Sequence, residues 1–316
     1  MEIDNILRPT AFDGYIGQGS IVRQLKTHVL AEKKRKERGV TSTLDHIMLE
    51  GGAGLGKTSI AAVIAKEIGA NLKIMQGTSI EHLGHLASNI MSLEEGDVFF
   101  IDEVHALKPA LEEALFSILE DFRMDITPDE GQPLNISLPR FTMIGATTEL
   151  GKLKEPFIDR FTHRFTMEKY TPEELSAIIK RSASILECEI TNEAADYLSG
   201  ASRGIPRVAN NLLKKARNYA EVFNDNLLDL ETATNSLTEA SIEESGLTSN
   251  DRKYLQALYD QGKPVGLKTL SGILAMDIKT IENKVEHFLL EQGFIEKQPR
   301  GRALSPKGNE YMKDLV

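Results

Sequence analysis

The sequence predicts a parallel α/β domain built on a phosphate-binding loop, then an all-helical domain, then a C-terminal winged helix. Three observations carry this. A glycine-rich loop at 51–58 lies between an apolar run and a helical pattern. A second apolar run, at 98–101, ends in two acids. Residues 247–316 hold helical patterns followed by two short extended runs around a basic turn. The expected boundaries are 1–169, 170–243 and 244–316.

The loop Gly51-Gly52-Ala53-Gly54-Leu55-Gly56-Lys57-Thr58 fits G-x-x-x-x-G-K-[ST], which wraps a polyphosphate. Glycine is needed where backbone approaches phosphate, because a Cβ would clash or forbid the dihedrals. Successive N–H groups then point inward, and the helix N-terminus adds partial positive charge. Lys57 supplies a mobile cation for the β- and γ-phosphates, and the Thr58 hydroxyl is placed for Mg²⁺. The rival reading is a chance glycine-rich turn, and the flanks decide against it. Ile47-Met48-Leu49 reads as a buried strand. Residues 59–68 have helical spacing and stop at Gly69.

With 41% hydrophobic and 27% charged residues, the 316-residue chain has ordinary globular composition. Its length suggests about two or three domains. No apolar stretch is long enough to span a membrane. The acidic N-terminus lacks the apolar core of a secretory signal, so a cytoplasmic location is expected. Cys188 is the single cysteine, which excludes intrachain disulfides and suits a reducing compartment. Among Ile185, Leu186 and Ile190 it reads as a small buried residue. The net charge of −10 argues against nucleic-acid binding, but its distribution does not. Residues 247–316 carry 11 Lys and Arg against 9 Asp and Glu, a net +2, so the preceding part carries −12.

In chain order, Arg8-Pro9 opens an extended arm that leads to Tyr15-Ile16-Gly17-Gln18. The apolar pair there could wall an adenine pocket or staple the next helix. Residues 20–38 look helical and end in Lys33-Lys34-Arg35-Lys36. That basic run suits a solvated helix C-terminus better than a DNA contact. Leu72-Lys73-Ile74 is a strand candidate, followed by a polar helix. His82 and His85 lie three apart, a metal spacing only if further ligands share the face. Val98-Phe99-Phe100-Ile101 reads as a buried parallel strand. Ligands bind at the carboxyl ends of such strands, and Asp102 and Glu103 stand there. Asp102 suits the Mg²⁺ shell, and Glu103 suits the attacking water. Residues 110–122 form an amphipathic helix. Met124-Asp125-Ile126 and Asn135-Ile136-Ser137 flank a hairpin turn. Residues 140–148 form another buried strand, ending in Thr147-Thr148, hydroxyls able to sense a γ-phosphate. In Phe157-Ile158-Asp159-Arg160-Phe161, Arg160 could reach a phosphate of its own or a neighbouring subunit, or pair with Asp159.

From Thr171-Pro172-Glu173-Glu174, a capping box, the character becomes helical. Residues 172–240 hold three or four helices and no convincing strand. Arg207 lies near the start of one of them, either over the nucleotide or as a surface cation. Residues 250–260, 267–274 and 278–290 are three further helices, the last two with a helix-turn-helix outline. Gly293-Phe294-Ile295-Glu296-Lys297 and Ala303-Leu304-Ser305-Pro306 flank Gln298-Pro299-Arg300-Gly301-Arg302. Arginines on such a wing would meet DNA phosphates or the minor groove, and a protein-binding winged helix is the alternative.

Taken together these stretches resemble the RuvB family, bacterial Holliday-junction branch-migration motors of the AAA+ ATPase class. The resemblance runs through Leu7-Arg8-Pro9, Tyr15-Ile16-Gly17-Gln18, Gly54-Leu55-Gly56-Lys57-Thr58, Phe100-Ile101-Asp102-Glu103, Glu120-Asp121-Phe122-Arg123, Ile144-Gly145-Ala146-Thr147-Thr148, Asp159-Arg160-Phe161, Tyr170-Thr171-Pro172, Pro206-Arg207 and Pro299-Arg300-Gly301-Arg302. It implies a large ATPase domain, a helical lid and a winged helix. The implied assembly is a homohexameric ring around duplex DNA, working with junction-binding RuvA and a junction resolvase at a four-way junction. Carried over by position, Leu7, Arg8, Tyr15 and Ile16 border the adenine. Gly54, Gly56, Lys57, Thr58 and Ser59 hold the phosphates of ATP and Mg²⁺. Glu120, Asp121, Phe122, Tyr170 and Arg207 complete the nucleotide site. Arg160 is the arginine finger offered to the neighbour. Lys297, Arg300 and Arg302 meet the DNA backbone.

This chain departs from the family pattern in places. Gly52 and Ala53 replace two prolines, which loosens the cradle. Ile158 replaces an arginine, Thr162 a glycine and Asn211 an arginine. The hairpin turn Thr127-Pro128-Asp129-Glu130-Gly131 is short and acidic where the family's is longer, apolar and basic, and in the family that hairpin meets RuvA. Two other function classes fit the same parts. A AAA+ protein remodeller or clamp-loader-like factor would lack DNA-stimulated turnover. A nucleotide-gated DNA-binding switch would turn over little, against which the Asp102-Glu103 pair argues.

Overall fold

The computed structural model describes residues 3–126 and 134–315. The chain separates into two units. One comprises Met1–Ile178 with Ile205–Arg207, and the other Ile179–Gly204 with Val208–Val316.

The first unit starts with α1 (Ile3–Ile6) and α2 (Gly19–Glu37), then alternates: β1 (Ile47–Glu50), α3 (Lys57–Ile68), β2 (Leu72–Gln76), α4 (Leu83–Met91), β3 (Val98–Asp102) and α5 (Pro109–Asp121). A hairpin follows, β4 (Arg123–Ile126) and β5 (Leu134–Ser137), then β6 (Thr142–Thr147), α6 (Glu155–Ile158) and β7 (His163–Thr166). The expected hairpin pairs Arg123 with Ser137 and Met124 with Ile136. Its acidic turn, Thr127 to Gly131, lies outside the described residues.

The five central strands form one parallel sheet in the order β2-β3-β6-β1-β7. Every residue from Val98 to Ile101 is fully buried, as expected of a strand covered on both faces. Register then fixes what meets at the carboxyl edge. Glu50 pairs with Thr147 and Gln76 with Asp102, so the phosphate loop, the two acids and the threonines leave the sheet together. An apolar layer including Phe99, Phe141, Phe157 and Phe161 supports this edge. Each such ring contributes roughly 1.5–3 kcal/mol by burial. β7 was not expected from the sequence. It is an edge strand of only four residues, and Phe165 alone of them is buried, too short an alternation to read.

Local sequence explains the ends of these helices. α3 ends at Gly69, which adopts the left-handed conformation. α5 begins with Pro109 in its first turn and ends at Phe122, also left-handed. α4 is capped by the His82 ring, which accepts the His85 N–H at 3.1 Å; that pair serves a helix end. The basic run of α2 lies at its C-terminus, with Lys33 on Glu67 and Arg35 on Glu32.

Beyond β7, α7 (Pro172–Ile185) carries the chain from the first unit into the second. Next come β8 (Glu189–Ile190), α8 (Asn192–Gly200), α9 (Pro206–Phe223), β9 (Leu227–Leu228) and α10 (Leu230–Glu239). The expectation of no strand here is corrected: β8 and β9 pair in parallel. Two-residue strands have no periodicity to betray them. Cys188 is buried beside β8, and burial raises its thiol pKa.

α11 (Ser249–Gln261), α12 (Leu267–Leu274) and α13 (Ile278–Thr280) follow, α13 continuing through a π-helical stretch, Ile281–Glu286, into α14 (His287–Glu291). The hairpin of β10 (Ile295–Gln298) and β11 (Gly301–Leu304) sets Lys297 opposite Arg302. Val265 adds two backbone hydrogen bonds to Arg302, each 2.8 Å, giving the three-ribbon edge of a winged helix. A last helix, α15 (Pro306–Leu315), was not read from the sequence; its Met312 joins the core and Tyr311 packs edge-on against Phe294.

Candidate nucleotide site and DNA interface

The phosphate loop begins where β1 ends. Gly51 donates its N–H to the Thr147 carbonyl at 3.1 Å, so loop and neighbouring strand are joined at the root. Gly54 has φ +83°, and a Cβ there would come within 2.9 Å of both Arg207 and Ile205. Glycine is therefore required by conformation and by space. The Arg207 N–H reaches the Gly54 carbonyl at 3.4 Å, which brings this arginine to the loop while its side chain stays exposed. Gly52 and Ala53, at the two proline positions of the family, are both exposed.

Lys57 is 6% exposed. Its Nζ donates to the carbonyls of Gly51 at 2.6 Å and Gly52 at 3.1 Å. The ammonium is thus held inside the loop by neutral acceptors. Burial lowers its pKa, Asp102 and Glu103 act in the opposite direction, and Arg207 lowers it further. Thr58 and Ser59 follow, half-buried, in the first turn of α3.

Two tyrosines brace the loop from outside. Tyr15 donates its hydroxyl to the Gly56 carbonyl at 3.3 Å, and Tyr170 to the Leu55 carbonyl at 3.2 Å. Burial raises both phenol pKa values. Gln18 ties its arm to Glu168, donating to the carbonyl at 2.7 Å and accepting from the N–H at 3.3 Å. Leu7 is buried, while Arg8 and Ile16 are half-buried.

Asp102 ends β3, and Glu103 follows in the left-handed region, at φ +50°. A non-glycine residue there is a strained conformation of the kind functional sites retain. The turn is backed by Gly77, where a Cβ would strike the Glu103 carbonyl oxygen. Asp102 Oδ1 accepts the Glu103 N–H at 3.1 Å, and Gln76 reaches Oδ2 at 3.5 Å. Thr148 donates to Glu103 Oε2 at 3.1 Å. Thr147 is fully buried at the end of β6, its Oγ1 accepting the Glu149 N–H at 2.9 Å. An ammonium, an aspartate, a glutamate and two hydroxyls therefore converge at one sheet edge. Carboxylate and hydroxyl oxygens are the hard donors Mg²⁺ takes, so Thr58 and Asp102 fit that ion.

Arg160 and Glu120 belong to a second cluster. Arg160 follows α6 and pairs with Glu120 of α5 at 3.0 Å, its guanidinium 4.1 Å from the Phe116 ring centre. Its Nε is buried with no hydrogen-bond partner among the described residues. The alternative pairing with Asp159 does not form, because Asp159 holds Arg164 at 2.6 Å. Ile158, at the family's arginine position, is buried against this apolar layer. Phe122 packs edge-on against Phe141 and under Arg140, and Glu120 and Asp121 are exposed.

On the wing, Lys297 and Arg300 are exposed. Arg302, expected to meet the DNA backbone, is engaged within the chain. Its Nε donates to Glu286 at 2.8 Å, and its Nη2 reaches Glu286 at 3.2 Å and Glu282 at 3.5 Å. Glu286 is fully buried and also accepts the Tyr254 hydroxyl at 2.7 Å. Hydrogen bonding to Glu286 raises the Arg302 pKa, and burial raises that of Tyr254. This is an interior network that docks the wing on its helices. Sequence reading missed it because Glu286 stands 16 residues away, in the helix before the wing. It also missed His105, whose signal was present: a histidine two positions past the second acid.

Comparison with known proteins places these parts in one family. Residues 7–167 match the model of the Holliday junction DNA helicase RuvB P-loop domain, 170–243 the RuvB AAA lid domain, and 244–313 the RuvB C-terminal winged helix domain. The chain is 44% identical over 311 residues to the Holliday junction branch migration complex subunit RuvB of Helicobacter acinonychis (strain Sheeba), covering 97% of this chain and 91% of that protein. It is 43% identical over 309 residues to the Campylobacter fetus subunit of the same name, covering 97% and 89%. The solved Thermotoga maritima RuvB Holliday junction branch migration motor superposes with a TM-score of 0.84 at 36% identity, covering 98% of each chain.

Proposed function

The chain belongs to the RuvB family, and from that premise we infer that it is an ATP-hydrolysing DNA motor that drives branch migration of Holliday junctions. The observation that carries the reading is the sheet edge itself. The Asp102-Glu103 pair leaves β3 beside Thr147 on β6 and the Lys57 loop on β1, a complete hydrolytic half-site in a chain that ends in a winged helix.

The working parts follow from their present partners. Lys57 exchanges two neutral carbonyls for the β- and γ-phosphates, a stronger charge-assisted contact. Tyr15 and Tyr170 keep the loop in shape while this happens, with Arg207 over it. Thr58 and Asp102 hold Mg²⁺, which supplies charge neutralisation at the phosphate oxygens. Glu103 orients and polarises the attacking water, and Thr147 senses the γ-phosphate. Arg160, held in a cluster of its own by Glu120 and Phe116, acts in the site of the neighbouring subunit. The ring this role requires is a homohexamer. Lys297 and Arg300 contact the DNA backbone, and Arg302 sets the wing that presents them. The division into an ATPase domain at 1–169, a lid at 170–243 and a winged helix at 244–316 matches these roles. A RuvA-like partner at the β4–β5 hairpin, a resolvase, and a cytoplasmic location complete the proposal; among the described residues no helix is long and apolar enough to cross a membrane.

The test is branch migration of a synthetic four-way junction, with and without RuvA, ATP and Mg²⁺. The expected result is ATP-dependent separation into two duplexes, lost in Glu103→Gln. Hydrolysis that DNA does not stimulate, with the junction left intact, would rule out the motor and favour a remodelling factor.

A further inference from the structure

His105 takes no part in the site as described, yet its ring touches two residues assigned to it, Thr147 and Glu103. Its ring is 12% exposed. Nδ1 lies 2.9 Å from Thr147 Oγ1 and 3.2 Å from Glu103 Oε2. Nε2 lies 3.1 Å from Glu149 Oε2, which also pairs with Lys152 at 2.7 Å. Glu149 in turn donates its N–H to Thr147 Oγ1. One imidazole thus joins the water-directing carboxylate, the sensing hydroxyl and an outer carboxylate.

We propose that His105 is a positioning residue for hydrolysis, tying one oxygen of Glu103 to Thr147 so that the other oxygen is presented to the attacking water. The backbone of Glu103 is already held, by its left-handed φ, by the Ala106 N–H on its carbonyl at 2.9 Å, and by Gly77 behind it. Only the side-chain torsions remain to be set. Both tethers, His105 Nδ1 and the Thr148 hydroxyl, fall on Oε2. That choice leaves Oε1 for a water. The same ring nitrogen meets Thr147, so a γ-phosphate engaging that hydroxyl is felt at the carboxylate through one side chain. Glu149, anchored by Lys152, fixes the ring from its far nitrogen, as an outer carboxylate orients a histidine elsewhere.

The inference rests on the ATPase reading above and is tested through three substitutions in the full-length chain, with DNA present. Leucine removes both ring nitrogens. Asparagine places an amide near the Nδ1 position, able to donate or accept, while glutamine places it near Nε2. In His105→Leu and His105→Gln, kcat should fall about 100-fold, the effect expected when a reacting group is misplaced by about 1 Å. KM and the affinity for a fluorescent ATP analogue should stay at wild-type values, since the contact acts on water and not on nucleotide. His105→Asn should recover to within about tenfold of wild type. A leucine variant with wild-type kcat would overturn the proposal. So would an asparagine variant no better than glutamine, or nucleotide affinity falling in step with kcat. If leucine at this site prevents folding, the asparagine–glutamine contrast still decides. A wild-type chain without turnover would overturn the ATPase reading and this inference with it, and is seen before any substitution is made.

Discussion

The sheet edge of the first unit and the wing of the second both organise buried charge, but in opposite ways. Lys57 rests on two carbonyls of its own loop, and Arg160 on one carboxylate and one ring, with a buried Nε unpartnered among the described residues. Arg302 is more fully partnered: its Nε and Nη2 both reach Glu286, and Tyr254 completes the same carboxylate. A buried charge with weak or incomplete partners is ready to be given better ones. A buried charge with a full set is structural, and removing it strands its partner. On the proposed function, this difference would separate functional from architectural cations where residue type does not.

The sharpest way to break the comparison is Arg160→Ala. Turnover should fall by about 10³–10⁵, as for arginine fingers of related nucleotide hydrolases, with ATP binding largely intact. Steady-state hydrolysis at ring-forming concentration checks it, and unchanged turnover would return Arg160 to the architectural class. Arg302→Ala should do the reverse. It leaves the fully buried Glu286 unpaired and should cost the C-terminal unit about 3–5 kcal/mol, read by urea denaturation. A loss below about 1 kcal/mol would mean the network is no more than a surface pair.

Acid sharpens the contrast on a smaller scale. His46 is buried, its Nδ1 accepting the Met143 N–H at 3.0 Å and its Nε2 facing the Leu119 carbonyl at 3.2 Å. Burial lowers its pKa below the ordinary 6.5. The unfolded chain therefore binds a proton that the folded one refuses. Stability supplied by neutral His46 is present above 6.5 and is lost as pH falls from there toward the folded value, at up to about 1.4 kcal/mol per pH unit. Denaturation at pH 7 and 5.5 should show a steeper loss for wild type than for His46→Gln, and equal slopes would dismiss the effect. Smallest in free energy, Arg300→Ala and Lys297→Ala should leave stability within about 0.5 kcal/mol of wild type. Each should lower the salt dependence of DNA binding by about one phosphate contact. A wild-type salt slope would take the wing out of the DNA interface.

Much of the fold was legible because its signals are local. The phosphate loop, the run at 98–101 with its two acids, and most helices are written in contiguous residues whose spacing has one physical reading. What escaped were elements too short to show a period, such as β7, β8 and β9, and the closing helix α15. The chemistry was legible to the same depth. Lys57, Asp102 and Glu103 came from motif spacing, but the partners of each arginine did not.

The sequence by itself determined that this chain carries a phosphate-binding loop, that two acids stand at a strand end beside it, and that a helical region and a winged helix follow. Those properties depend on neighbours in the chain. Only the tertiary structure decided that Arg302 is a strut, that Arg160 is held by Glu120 and Phe116, and that His105 joins Glu103 to a threonine 42 residues away. The reason is physical. What a charge or a ring does is set by which dipoles surround it, and those are brought together by strand register and helix packing over distances along the chain that spacing alone does not reach.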